Sequence, residues 1–119
     1  IGFAHAVVAS PGVTIHLGGQ TGRRRDGTFA KGLVEQFDDA CGNVVTALRA
    51  AGGSPEHLVS VQVFTTDVAA YRSNARGLGD AWRRNFGKHY PAVALFEIGR
   101  LFESAALVEL VGVAVLPDE

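Results

Sequence analysis

The sequence predicts an α+β domain in which two helices pack on one face of a mixed β-sheet, and three observations carry that prediction. Strand-like and helix-like stretches follow one another in the order β-β-α-β-α-β-β. Each of the two helical stretches bears one apolar stripe and so can bury only one side. The closing strand is apolar on both parities, which implies a sheet with a covered second face. With 119 residues, 47% of them hydrophobic, there is material for one core, so residues 1–119 are read as one domain.

The elements follow in order. Phe3 to Ala9 is apolar, Ser10-Pro11-Gly12 is a turn signal, and Val13 to Leu17 alternates apolar with polar, which predicts a hairpin. Gly18-Gly19-Gln20 ends the second strand, as a bulge or as a close approach of backbone to a ligand. Arg23 to Lys31 reads as a loop around the turn dipeptide Asp26-Gly27, with a weak extended piece at Thr28-Phe29. From Leu33 to Ala51, the residues Leu33, Phe37, Cys41, Val44, Leu48 and Ala51 form one helical stripe. Gly52-Gly53-Ser54-Pro55 stops that helix.

Leu58 to Thr65 sets Val59, Val61 and Val63 against Ser60, Gln62 and Phe64, a strand pattern. Thr66 and Asp67 supply cap oxygens for a second helix that runs to Phe86 on Tyr71, Ala75, Leu78, Trp82 and Phe86. Two closing strands are predicted at Ala92 to Ile98 and Ala106 to Val115. Two one-sided helices leave one sheet face uncovered, and no residues remain to build a second layer. A second copy of the chain is the expected cover, hence a homo-oligomer.

Charge and composition exclude several classes. Eleven basic and 12 acidic residues give a net charge of −1, which offers nothing to nucleic acid or an anionic membrane. The run Arg23-Arg24-Arg25 is read as a solvated loop in preference to a phosphate patch. No apolar stretch approaches the roughly 20 residues that span a bilayer, and no signal-peptide pattern is recognised. Cys41 stands alone inside an apolar stripe, so it reads as a buried inert thiol. A lone cysteine fits a reducing compartment, and a cytoplasmic location is expected. His5 and His16 lack a carboxylate or thiol at ligand spacing, so no metal site is expected.

The residue that most needs a reason is Glu109, inside the apolar run Ala105 to Leu116. An ionised carboxylate there costs several kcal/mol unless it is paired, hydrogen-bonded or open to water, so Glu109 faces solvent, ties a subunit junction or does chemistry.

Together with the β-β-α-β-α-β-β order, the Gly18-Gly19-Gln20 turn, the stretch VFTTD after the third strand, Asn74 in the second helix and PAVALFEIGRLFESAALVEL at the end, the chain resembles the RidA/YjgF family. The resemblance implies a chorismate-mutase-like α+β subunit assembled as a homotrimer, with small-molecule clefts between adjacent subunits and no metal or organic cofactor. Active members hydrolyse 2-imino and 2-enamino acids to 2-oxo acids and ammonia. By the same resemblance, Glu109 positions or activates the water, and Phe3, Gly19, Gln20, Asn74, Val93 and Arg100 fall where the cleft binds its ligand.

Two of these positions depart from the family pattern. The family places an arginine directly after Pro-Ala to clamp the substrate carboxylate, and here Pro91-Ala92 is followed by Val93. The usual N-terminal tyrosine is Phe3, without a hydroxyl. A hydrolase of imines, enamines or related compounds that need no carboxylate clamp is the first expectation. A non-catalytic binding or regulatory trimer is the second, and an endoribonuclease or translation inhibitor the third. Asn74 is expected to bond a loop sooner than a substrate, and Tyr71 and Trp82 to be core.

Overall fold

The helical stripes and strand alternation resolve into a single mixed sheet with helices on one side. A computed structural model describes residues 3–118. Its elements are β1 (Gly12–His16), β2 (Gln20–Thr21), α1 (Leu33–Ala50), β3 (Leu58–Thr65), α2 (Val68–Ser73), α3 (Ala75–Phe86), β4 (Ala92–Glu97) and β5 (Val108–Pro117), with a 3-10 turn at Pro55–His57. The sheet order is β1-β5-β3-β4, and β2 also pairs with β5. Only β3 and β4 run parallel; β1, β2 and β3 all pair antiparallel with β5.

The core lies between the helices and one sheet face. Phe37, Cys41, Val44 and Leu48 of α1 meet Leu78, Trp82 and Phe86 of α3 and the inward residues Val61, Val63, Val108, Leu110 and Ala114. The α1 stripe ends as its glycines direct. Gly52 takes φ +89° and donates to the Arg49 carbonyl at 3.1 Å, while Gly53 donates to that of Leu48 at 2.8 Å, a Schellman closure. Trp82 satisfies its indole N–H on the His89 carbonyl at 3.0 Å.

Strand β5 separates the two faces residue by residue. Val108, Leu110 and Ala114 are fully buried under the helices, whereas Glu109, Val111, Val113 and Val115 alternate with them on the uncovered face and stay partly exposed. No helix among the described residues is long and apolar enough to cross a membrane.

Three expectations change. The N-terminal hairpin does not form: Phe3 to Ala9 makes no strand with β1, and Ala4 instead bridges Ala92 at the opposite edge of the sheet. The segment starts at the β4 edge and must cross to the β1 edge, so the Pro11-Gly12 bend joins two directions without closing a hairpin. The second helix is two, α2 and α3. Asn74 breaks it at φ −112°, ψ 23°, with its side-chain amide donating to the Ala70 carbonyl at 2.7 Å in competition with the backbone ladder. The extra strand before α1 lies at Gln20–Thr21, and Thr28-Phe29 forms none.

The cap predicted at Asp67 is present, with its carboxylate accepting from the Ala70 N–H at 3.0 Å. Asp67→Ala is expected to cost about 1 kcal/mol, read as a lower midpoint in denaturant at unchanged slope.

Candidate functional site

Glu109 projects from the uncovered sheet face because its strand alternation leaves it no other choice: Leu110 beside it is fully buried in the core. In register across the sheet it is opposite Thr21 on one side and Phe64 on the other, and Phe64 is opposite Phe96. One transverse row therefore reads Thr21, Glu109, Phe64, Phe96. The two rings stack at 5.4 Å with planes 22° apart, and Phe96 keeps 44% of its surface exposed. Among the described residues, no salt bridge reaches Glu109.

The Gly-Gly-Gln turn sets the wall beside it. His16 is opposite Val113 and Gln20 opposite Leu110, so four steps on one strand face three on the other, a bulge of one residue. The bulge brings Gly19 so close that a Cβ there would overlap the Glu109 carboxylate. The turn is a strand irregularity, the first of the two readings, and it presses backbone against the acid. Gln20 donates from Nε2 to the Gly18 carbonyl at 3.2 Å, bracing the turn.

Two buried polar side chains fix the chain on its way into β5. Gln36, 2% exposed, donates to the carbonyls of Ala30 at 2.8 Å and Ala105 at 2.9 Å, and accepts from the Leu107 N–H at 2.8 Å. Thr65 donates to the Leu107 carbonyl at 3.1 Å, and the Thr66 N–H reaches the same oxygen at 3.2 Å. Sequence reasoning missed Gln36. The signal was available, since it sits three residues after Leu33 and four before Ala40 on the buried side of α1, where a polar residue requires partners.

The other anticipated ligand residues do not gather around Glu109. Phe3 is 54% exposed and lies with Ala4 against Pro91 and Ala92, at the start of β4, while Glu109 shares a row with Phe96 at its end. Four residues along a strand and three strand spacings across amount to roughly 13 Å by 14 Å. Val93 is in register with buried Val61 and packs on the core, so it points to the helical side, away from Glu109. Asn74 sits in the helical layer, where its amide donates to the Ala70 carbonyl of α2 in place of the expected loop. Arg100 is exposed in the bend after β4, and Phe102 beyond it is fully exposed.

The remaining reactive groups have ordinary explanations. Burial pushes the Cys41 thiol well above its usual value, with Asp38 adding to the rise, so it stays protonated. Burial likewise raises the Tyr71 phenol to about 12. Arg23 pairs with Glu103 at 3.6 Å and Arg24 with Asp39 at 3.2 Å, as a solvated loop does. Among the described residues, no group of three or more His, Cys, Asp or Glu could hold a metal ion.

A family model described as Endoribonuclease L-PSP matches residues 2–116. Among solved structures, a Rid-family protein of unknown function from Yersinia pestis superposes with a TM-score of 0.86 at 24% identity, covering 97% of this chain and 87% of that one. RidA from an Antarctic Psychrobacter gives 0.77 at 25% identity, over 96% and 88% of the two chains. A Mycobacterium tuberculosis member of the YjgF/YER057c/UK114 family gives 0.71 at 25% identity, over 98% and 88%. No curated protein matches the chain.

Proposed function

This chain belongs to the endoribonuclease L-PSP family, the Rid/YjgF group, and from that premise we propose that it acts as a homotrimeric, cofactor-independent hydrolase of imines or enamines. Glu109 activates water in a cleft between subunits. The observation that supports this reading best is the division of the site. The Glu109–Gly19 half and the Phe3 half lie at different ends of one sheet, so a cleft holding both requires two copies. The uncovered Val111, Val113 and Val115 supply apolar surface for the junction.

The reaction needs few groups. Glu109 takes a proton from water as the oxygen adds to the C=N carbon and gives it to the nitrogen, then carries the hydroxyl proton of the resulting carbinolamine to the same nitrogen. The C–N bond breaks, ammonia leaves and the carbonyl compound remains. Gly19 acts as a positioning residue, since its bare backbone lets the carboxylate lie flat against the turn. Gly19→Ala is expected to lower the rate about 100-fold by displacing the carboxylate on the order of 1 Å, with KM little changed. Gln20 and Phe3 line the same cleft, Arg100 stands exposed after β4 and off the Glu109 row, Asn74 only braces the helical layer, and the lone buried Cys41 suits a cytoplasmic setting.

A second reading, a binding or regulatory trimer without turnover, draws on Val93, because an aliphatic group in the core offers nothing to a substrate carboxylate. Cleavage of RNA, which the family description names, is disfavoured by the net charge of −1 and by the pairing of Arg23 and Arg24. The test is release of ammonia from imines generated in place by an amine or amino-acid oxidase. Release above the spontaneous rate supports hydrolysis; ligand binding with no release above that rate selects the second reading.

A further inference from the structure

The row Thr21, Glu109, Phe64, Phe96 carries more than a water-activating acid. It sets a carboxylate at one end and two stacked rings at the other, with no cation between them on those four positions. Of the basic side chains off the row, His16 is opposite Val113, four residues along β5 and so roughly 13 Å from the Glu109 row, and Arg25 and Arg100 are exposed in the loops after β2 and β4. Arg23 and Arg24 are engaged by Glu103 and Asp39.

The geometry points to a ligand of one chemical class: a cationic, carboxylate-free arylalkyl imine or amine, held by its nitrogen at Glu109 and by its ring against Phe64 and Phe96. An acid with no ion pair and no cation on its own row, beside apolar surface, favours a positive ligand and repels a second carboxylate. Aromatic rings beside it favour a flat apolar group. The spacing agrees, since adjacent strands put the two rings about 5 and 10 Å from the Glu109 strand, the span of a phenyl ring on a two-carbon amine. This rests on the reading that a second copy closes the cleft above the row.

Three ligands of equal size and different charge test it: 2-phenylethylammonium, 2-phenylethanol and 3-phenylpropanoate, titrated calorimetrically into the intact protein at neutral pH and low salt. The expected order is ammonium tightest, by about tenfold or more over the alcohol, and carboxylate weakest. Glu109→Gln is expected to erase the preference for the ammonium. Phe96→Leu, which keeps the site apolar, is expected to weaken the ammonium and the alcohol by a similar factor. Variants are compared only where their sedimentation matches the wild type, so a failure to fold is not read as a loss of binding.

A carboxylate that binds as well as the ammonium, a preference that survives Glu109→Gln, or no heat from any of the three overturns the assignment. These outcomes separate from the proposed reaction. Ammonium binding without ammonia release leaves the ligand class standing and removes the hydrolysis. Rapid hydrolysis confined to 2-imino acids does the reverse.

Discussion

Glu109→Gln is expected to lower ammonia release from an imine by about 10²- to 10⁴-fold, the range that a positioned acid or base contributes. The midpoint of thermal unfolding is expected to move by only a few degrees. The asymmetry follows from where the side chain lies. It projects from the uncovered sheet face, and among the described residues no ion pair ties it to the fold. Glutamine keeps the size and the polar end group but can neither take a proton from water nor return one to the leaving nitrogen. A purely structural carboxylate would show the opposite pattern, with a large fall in stability and a rate that recovers when the temperature is lowered.

Gln36→Leu is expected to be the most damaging single change to the fold, by roughly 3 to 5 kcal/mol. It strands the Leu107 N–H and the carbonyls of Ala30 and Ala105 in a nearly dry site, where an unmet group costs about 1 to 3 kcal/mol. For a chain of 119 residues that corresponds to a loss of about 10 to 20 °C in midpoint. Leucine is a demanding choice because it keeps the volume and raises the hydrophobicity, so a small effect cannot be blamed on a cavity. Gln36 also fixes the approach to β5. Residual activity at low temperature is therefore expected to fall as well, through the looser placement of Glu109.

Much of this was legible in the chain. The α1 stripe from Leu33, the stop at Gly52-Gly53 and the alternation of β3 each follow from local rules that nothing in the tertiary structure opposes. Glu109 could be singled out because a charge in an apolar strand is costly wherever the strand lies. What failed depends on partners distant in sequence. Phe3 to Ala9 has the composition of a strand, but composition does not say which sheet edge it meets, and Ala4 bridges Ala92 at the β4 edge, opposite β1. Asn74 looked like one more polar position on a helix until its amide found the Ala70 carbonyl. The direction of Val93 needed the register with Val61, which no spacing in the sequence supplies.

Gly19 and Gln36 mark the boundary between the two kinds of information. A glycine pair after a strand announces a bulge or a close approach, and here a single bulge delivers both. A glutamine within a buried stripe announces that something must meet it, without saying that the partners lie 69 and 71 residues away at Ala105 and Leu107.

The most direct test of the central claim, that a second copy completes the site, is sedimentation equilibrium of the wild-type protein at micromolar concentration. A mass three times that of the 12.5 kDa chain is expected. A species of single-chain mass would leave Glu109 on an open surface and contradict it.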